Sequence, residues 1–132
     1  MIDRATPTRQ APGPEAKRFI GAWRLVSAVS DGLLVYHPSG EMIVQTVPRR
    51  ERPRAGATPT PAEALAALDG TVAYFGTYTI DEAAGTVTHN QIGTVQPGAA
   101  TDLVRAFEFV SADRLVLRPV GRGGEIVWER IG

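Results

Sequence analysis

The chain contains no cysteine and only two histidines, at positions 37 and 89. The absence of cysteine excludes structural disulfides, thiol nucleophiles and cysteine-ligated zinc or iron–sulfur sites. The two histidines do not form a His-x-His or His-Glu-x-x-His motif, so little remains from which to build a metal site. We therefore expect neither a metal nor another cofactor.

Neither sign of charge is in excess, because 14 lysines and arginines balance 14 aspartates and glutamates. Nucleic-acid-binding proteins normally carry a basic excess, since their affinity comes from neutralising phosphates, so nucleic acid is not an expected partner. The chain also lacks a run of about 20 apolar residues and the apolar stretch of a signal peptide. These absences predict a soluble, cytoplasmic protein without a membrane partner.

One folded domain is expected, because a hydrophobic fraction of 43% in 132 residues suffices for a single core. Residues 1–17 contain three prolines, few apolar residues and no periodicity. This composition predicts a flexible N-terminal tail. Residues 18–132 are predicted to form the domain.

Short segments with alternating apolar residues recur between turn signals, which is typical of β-strands. Eight such segments predict strands over residues 19–27, 33–36, 41–47, 71–81, 86–93, 103–109, 114–118 and 125–130. Asp31-Gly32 predicts the hairpin between the first two. Eight short antiparallel strands most simply close into an up-and-down barrel, which removes exposed edges and can hold one small ligand.

A single helix is predicted between the third and fourth strands. Thr60-Pro61-Ala62-Glu63 is a capping box with proline at the first helical position, and Asp69-Gly70 ends the helix. Leu65 and Leu68 lie three residues apart and predict that the helix packs over one end of the barrel.

Residues 49–54 precede this helix and contain four arginines in an irregular, proline-containing connection. The four are Arg49, Arg50, Arg52 and Arg54. They either steer an anionic ligand or an acidic partner, or form a solvated loop. The balanced overall charge favours the loop.

Several motifs resemble those of the lipocalin-like domain proteins of bacteria and fungi. The segment Gly21-Ala22-Trp23-Arg24-Leu25-Val26-Ser27 resembles the opening Gly-x-Trp-Arg-Leu-x-Ser of that family. Similar segments follow in the family's order at residues 74–78, 85–89, 105–108 and 128–130. The resemblance covers roughly residues 19–131 and implies a barrel with an interior cavity. It implies little about a reaction, because the family includes passive binders as well as cofactor-free cyclases and isomerases.

The chain departs from this family between its first two strands. Only Ser30-Asp31-Gly32 remains where the family carries a longer segment. The barrel mouth on that side is therefore either more open or covered by a partner. The sequence leaves homo-oligomerisation open.

His89 is the main candidate for chemistry. It shares a strand face with Val87 and Gln91, opposite a polar face, so we expect it to point into the barrel. A histidine that titrates near neutrality there suits general acid–base catalysis. Alternatively, His89 hydrogen-bonds a tyrosine or glutamine across the barrel and only fixes the packing.

Arg105 shares an apolar strand face with Leu103 and Phe107. Burial of a guanidinium group requires a partner. Arg105 therefore either binds a carboxylate or stabilises an enolate-like oxyanion, or it stacks structurally on Trp23 or Trp128.

Tyr74 and Tyr78 share a face, with Gly76 between them. The missing side chain at position 76 either opens space between the phenols or allows another element to approach closely. The phenols either orient a carbonyl or hydroxyl group of a substrate, or are ordinary core aromatics. We therefore count Tyr74 and Tyr78, with His89 and Arg105, as candidate catalytic residues.

Further residues are expected to contact a ligand or to close the barrel. The candidates for ligand contact are Trp23, Gln91, Phe107 and Trp128. Trp23 is also expected to plug one end of the barrel. Arg130, beside Trp128, is expected to be the structural arginine of that end.

These residues suggest two functions. The leading hypothesis is a cofactor-free enzyme that promotes cyclisation, isomerisation or dehydration of an apolar natural-product intermediate. His89 would move a proton, while Arg105 and a tyrosine polarise an oxygen. The alternative is a non-catalytic binder or carrier of a small apolar metabolite. A protein-interaction role would require an exposed apolar patch, which the alternating faces do not suggest.

Overall fold

The computed structural model describes residues 14–52, 56–98 and 101–132. It contains two helices, α1 (Pro14–Phe19) and α2 (Pro61–Leu68), and neither helix of this described part is long and apolar enough to cross a membrane. The strands are β1 (Gly21–Val26), β2 (Ser30–Tyr36), β3 (Glu41–Pro48), β4 (Val72–Asp81), β5 (Thr86–Thr94), β6 (Asp102–Ser111), β7 (Arg114–Pro119) and β8 (Ile126–Arg130).

Each strand pairs antiparallel with the next strand in the chain, and β8 pairs with β1. The sheet is therefore a closed eight-stranded up-and-down barrel, and the predicted all-β fold class with one short helix between strands 3 and 4 is confirmed. Alternation along each strand separates an inner from an outer row of side chains. Trp23 and Trp128 are buried in the inner row, whereas their chain neighbours Arg24 and Glu129 are exposed.

The core is this inner row together with the end of α1. Its buried apolar members are Phe19, Trp23, Leu34, Tyr36, Met42, Val44, Tyr74, Val87, Leu115, Leu117 and Trp128. Each large side chain that is fully removed from water contributes about 1.5–3 kcal/mol to the free energy of unfolding. The core therefore holds the wall of the barrel together from the inside.

Helix α1 covers one end of the barrel. The ring of Phe19 is completely buried and packs edge-on against the rings of Phe107 and Phe109, at centroid distances of 4.9 Å. The indole Nε1 of Trp23 donates a hydrogen bond of 2.8 Å to the carbonyl oxygen of Phe19. Phe19 thus belongs to α1, and the strand expected from residue 19 begins at Gly21.

The predicted tail overlaps α1 at residues 14–17, and its remaining residues 1–13 lie outside the described residues. The helix begins there because Oε1 of Glu82 accepts hydrogen bonds from the backbone N–H groups of Glu15 and Ala16, at 2.9 and 3.3 Å. A helix leaves its first N–H groups without a partner inside the helix. A side chain distant in the sequence supplies that partner here, so composition alone could not indicate it.

The first hairpin turns earlier than predicted. Strand β2 begins at Ser30, so Asp31-Gly32 lies within the strand, and its prediction as the turn was wrong. The hydroxyl of Ser27 accepts hydrogen bonds from the backbone N–H groups two and three residues ahead, which stabilises the turn at residues 27–29. A Cβ atom on Gly32 would lie 2.8 Å from the side chain of Thr46. Close packing, not a turn, explains this glycine.

Helix α2 forms as predicted but does not pack over the barrel. Thr60 and Glu63 make both hydrogen bonds of the capping box. None of the helix residues is buried, and the side chains of Leu65 and Leu68 are 72% and 47% exposed. The expectation that these leucines pack over a barrel end was therefore wrong. The residue that packs over a barrel end is Phe19 of α1.

The arginines that precede α2 bind its C-terminal turn. Arg50 and Arg52 donate to backbone carbonyl groups in and just after that turn, over 2.9–3.3 Å. Cations are favoured there, because the carbonyl end of a helix carries partial negative charge. Arg49 pairs with Asp31 at 2.8 Å, and Arg54 lies outside the described residues. Arg49, Arg50 and Arg52 thus stabilise the connection between β3 and α2.

Gly76 marks a bulge between β4 and β5. The pairing register shifts at this glycine, where β5 contains one extra residue, Ile92. A Cβ atom on Gly76 would lie only 1.9 Å from the carbonyl oxygen of Asn90. Of the two reasons considered for this glycine, close backbone approach is therefore correct.

Substitution Gly76→Ala should lower the free energy of unfolding by about 3 kcal/mol, because the backbone of β5 must move away from the new methyl group. The matched control is Gly123→Ala, where a Cβ atom meets nothing within 4 Å and the change should stay within about 0.5 kcal/mol. Urea denaturation of both variants measures the difference. Equal losses would contradict the close approach at Gly76.

Candidate functional site

The interior of the barrel, which we call the lumen, contains a polar cluster centred on His89 of β5. This side chain is only 3% exposed. The hydroxyl oxygen of Tyr36 lies 2.6 Å from His89 Nε2, and that of Tyr74 lies 2.7 Å from Nδ1. Both ring nitrogens are therefore hydrogen-bonded to tyrosines. We call Tyr36, Tyr74 and His89 the polar cluster.

Strand register and closure bring the polar cluster together. Tyr78 of β4 is directly opposite His89 in the register, and Tyr74 lies four residues earlier on the same face. Tyr36 comes from β2, three strands round the barrel from β5. The cluster therefore spans the lumen and links β2 to the paired strands β4 and β5, with neither of which β2 pairs.

Burial keeps the whole polar cluster neutral near pH 7. Desolvation disfavours the imidazolium ion, and the positive charge of Arg105 adds to this effect, so the pKa of His89 falls from 6.5 to about 3. Burial raises the pKa of Tyr74 to about 12 and that of Tyr36 well above its usual value. The expectation that His89 titrates near neutrality was wrong, because the barrel removes it from water. The alternative, a hydrogen bond to tyrosine across the barrel, describes the observed geometry.

The hydrogens of the polar cluster outnumber its hydrogen bonds. A neutral imidazole carries one N–H, and two phenols carry two O–H groups. In the two hydrogen bonds, the N–H donates to one phenol and the other phenol donates to the bare nitrogen. The phenol that accepts from His89 keeps its own hydrogen for a further acceptor. Neither phenol makes another hydrogen bond with the described residues.

Burial favours Tyr74 as the phenol with the spare hydrogen. Tyr36 is completely buried, whereas Tyr74 is 9% exposed. With the proton on Nδ1, His89 donates to Tyr74, and the spare hydrogen lies on the more accessible phenol. The opposite tautomer places it on Tyr36, where an unpaired buried donor costs about 1–3 kcal/mol.

Arg105 faces the lumen from β6 and is half-buried between apolar neighbours. It forms no ion pair with the described residues, and its Nη1 lies 3.3 Å from the carbonyl oxygen of the adjacent Val104. Its positive charge nevertheless acts on the polar cluster, where it tends to lower the pKa of all three groups. Arg105 therefore places a positive charge beside an uncharged cluster.

Arg130 is the structural arginine of the barrel, as expected. Its guanidinium carbon lies 4.2 Å from the centre of the Trp23 ring. The same guanidinium group donates to the carbonyl oxygens of Ile20 and Arg18. Stacking on Trp23 is thus the role of Arg130 and leaves Arg105 available within the lumen.

Tyr78 takes a different role from Tyr74. Its hydroxyl donates a hydrogen bond of 2.8 Å to the carbonyl oxygen of His37, at the end covered by α1. Its ring packs edge-on against Tyr36, with centroids 4.8 Å apart. The hydroxyl hydrogen of Tyr78 is thus used outside the polar cluster. Of the predicted pair, Tyr74 bonds to His89 and Tyr78 bonds to the backbone of His37.

The residues predicted to contact a ligand are distributed along the lumen. Trp23 and Phe107 lie toward the α1 end, in the aromatic packing around Phe19. Gln91 is buried in the same row of β5 as the central histidine. Trp128 is buried on β8, and its indole Nε1 has no hydrogen-bond partner among the described residues.

Sequence reasoning missed Tyr36. The strand that contains it was predicted, and its alternation with the apolar Leu34 was a signal that it faces inward. All three tyrosines of the chain lie in this region. The proximity of Tyr36 to His89 arises only when the barrel closes, so no local pattern in β2 indicated it.

The end opposite α1 is the mouth of the lumen, which we define by Leu25, Leu103, Arg105 and Ile126. The three apolar side chains pack against the core, yet all four residues are only half-buried. They lie where β1 ends and where β6 and β8 begin. Solvent therefore reaches inward-facing side chains from this end.

The outer surface carries an apolar patch that the sequence did not suggest. Leu33, Ile43, Phe75 and Ile92 are each about half exposed on neighbouring strands β2 to β5. Open grooves of about 390 and 470 Å³ run over this patch. The expectation that the outer faces lack an apolar patch was wrong, because apolar residues also occupy outer positions of these strands.

Substitution Tyr36→Phe should lower the free energy of unfolding by about 1–3 kcal/mol, because it leaves buried Nε2 of His89 without a partner. The matched control Tyr78→Phe removes a hydroxyl whose partner oxygen is at the surface and should cost no more than about 1 kcal/mol. Urea denaturation at pH 7.5 compares the two. A loss for Tyr78→Phe as large as that for Tyr36→Phe would contradict the burial argument.

The lowered pKa of His89 predicts a pH dependence of stability. Between pH 6.5 and about 3 the unfolded chain binds a proton at His89 that the folded chain does not, so stability is complete above pH 6.5 and is lost as pH falls. From pH 7.5 to 5.5 this loss amounts to about 1.4 kcal/mol. Urea denaturation at both pH values should show this loss in the native protein.

The variants His89→Gln and His37→Gln assign this loss to one histidine. The first should lose about 1.4 kcal/mol less between pH 7.5 and 5.5 than the native protein. The second removes an exposed histidine that bonds to Ser39 and is the matched control, so the difference between the two variants measures the contribution of His89. An unchanged loss in His89→Gln would show that His89 is not held neutral.

The sequence similarity of the chain to a known protein family agrees with the barrel. The family model of the lipocalin-like domain matches residues 20–130, a span that contains all eight strands. No curated protein sequence matches the chain.

Proposed function

Since the chain belongs to the lipocalin-like domain family, we propose that it binds a small, largely apolar molecule in the lumen through an oxygen atom of that molecule. A lipocalin-like barrel fits a small hydrophobic ligand, since its inner row is mostly apolar. The polar cluster would hold the oxygen, and the apolar residues at the mouth would contact the rest of the molecule.

The spare phenol hydrogen of the polar cluster carries this proposal. A buried donor without an acceptor costs about 1–3 kcal/mol, and a ligand oxygen next to Tyr74 would remove that cost. Tyr36 and His89 hold the donor in place, because each is fixed by a hydrogen bond and by burial. The donor is thus oriented before a ligand arrives, which lowers the entropic cost of binding.

The same geometry supports binding more strongly than net proton transfer. If Tyr74 gave its proton to a ligand, His89 would replace it and in turn take the proton of Tyr36. The negative charge would then lie on Tyr36, whose pKa is raised well above its usual value by burial. The polar cluster is therefore a better hydrogen-bond donor than proton source.

A cofactor-free cyclase, isomerase or dehydratase is the second candidate. The observation that favours it is the positive charge of Arg105 within the lumen, which tends to lower the pKa of Tyr74. Together they would stabilise negative charge that develops on a carbonyl oxygen during an enolisation or a cyclisation. Such stabilisation requires no net proton from the polar cluster.

Titration with N-phenyl-1-naphthylamine, a neutral fluorescent probe, tests lumen binding. We expect saturable fluorescence enhancement together with a shift of one indole N–H signal in the ¹⁵N spectrum. The chain has two tryptophans. The indole N–H of Trp23 already donates a hydrogen bond to the carbonyl oxygen of Phe19. The indole signal of Trp128 should therefore shift more than that of Trp23. Shifts confined to Ile43 and Phe75 on the outer patch would contradict the proposal.

Two variants locate the probe. Leu103→Trp adds bulk at the mouth and should weaken probe binding by about tenfold, because removed space cannot be recovered in a packed interior. Val104→Trp adds the same ring one residue away on the outer face, where the side chain is exposed, and should bind the probe normally. Equal effects of the two variants would contradict binding inside the barrel.

Conversion of a bound ligand, as opposed to its unchanged recovery, would favour the second candidate.

A further inference from the structure

Arg105 differs from the other arginines of the described residues. Five of them lie within 4.0 Å of a carboxylate oxygen: Arg18, Arg49, Arg50, Arg118 and Arg130. Four more have no carboxylate partner and are exposed: Arg24, Arg52, Arg114 and Arg122. Arg105 alone among the described arginines is at least partly buried and without a carboxylate partner.

Within the described part of the chain, no residue of the lumen could balance this charge. No aspartate or glutamate of the described residues is buried. The polar cluster is neutral near pH 7, because burial opposes ionisation of all three groups. The inner surface near the mouth therefore carries one uncompensated positive charge in surroundings that are mostly apolar. Such a charge favours an anion as its partner.

The unpaired groups of the lumen are hydrogen-bond donors. The polar cluster keeps one phenol hydrogen, and the indole N–H of Trp128 is buried without a partner among the described residues. The guanidinium group of Arg105 adds several N–H donors, of which Nη1 contacts the carbonyl oxygen of Val104. A ligand that complements this surface must be rich in acceptors at its polar end.

We infer that the ligand of the lumen is an organic acid, an apolar molecule whose carboxylate pairs with Arg105 and accepts the spare phenol hydrogen of Tyr74. This inference rests on the proposed binding in the lumen and adds the chemical class of the ligand. A carboxylate has two acceptor oxygens, so one can face the guanidinium group and the other the phenol. The apolar body of the acid would then lie against Leu25, Leu103 and Ile126.

Octanoate and octan-1-ol form a matched pair of probes, because they share the apolar chain and differ in charge. At pH 7.5, calorimetric titration should show octanoate binding about 10- to 100-fold more tightly than octan-1-ol. The indole signal of Trp128 should shift with octanoate. Acetate and inorganic phosphate, which lack the apolar chain, should bind at least about tenfold more weakly than octanoate.

Substitution at position 105 tests the role of the charge. Arg105→Gln should abolish the preference for octanoate, whereas Arg105→Lys should retain part of it, since lysine keeps the charge but loses the forked geometry. The matched control Arg24→Gln removes the same charge from the exposed outer row of β1 and should leave the preference intact. If Arg105→Gln fails to fold, the inference is still tested by the preference of the native protein for octanoate over octan-1-ol and by its partial loss in Arg105→Lys.

Three outcomes would overturn the inference. Equal affinity for octanoate and octan-1-ol would show that the charge is not used. Equal affinity for acetate and octanoate would indicate a site for small anions that does not use the apolar chain. Binding of N-phenyl-1-naphthylamine without any binding of octanoate would also contradict an acid ligand. In each of these cases probe binding in the lumen can persist, and the proposed function then stands. Loss of lumen binding by every probe would instead refute the proposed function.

Discussion

Strand β8 returns to pair with β1, from Trp23 opposite Arg130 to Val26 opposite Val127. This pairing gives every strand an inner and an outer row, because side chains alternate and the sheet has no free edge. Arg130 strengthens the closure by stacking on Trp23 and by binding the carbonyl groups that precede β1. The polar cluster depends on the closure, since its members come from β2, β4 and β5.

Inside the closed barrel, a histidine is stable only when both ring nitrogens have partners. Two tyrosines provide them, and the imidazole stays neutral because the barrel excludes water. The same arrangement leaves a hydrogen on one phenol and places the positive charge of Arg105 beside uncharged groups. The interior is thus stable without a ligand, and it presents donors and a positive charge toward the mouth.

Sequence patterns within a strand or a helix turn were sufficient to predict much of this architecture. Alternation indicated all eight strands and the inward side of β5, and the capping box indicated α2. Failures occurred where a residue type has two physical uses. Gly32 could serve a turn or close packing, and Leu65 could be buried or exposed. The choice depends on what lies next to the residue in space, and the surrounding sequence does not contain that information.

The sequence by itself determined the strands and the inward direction of His89 and Arg105, because the period of two is a property of the local chain. It also determined helix α2, because the capping box is a local pattern. The tertiary structure decided that Tyr36 and Tyr74 bind His89, that Tyr78 binds His37, and that Arg130 stacks on Trp23 while Arg105 stays unpaired. It also decided that His89 is neutral. These features depend on distances across the barrel and on exclusion of water, and both arise only when β1 and β8 pair.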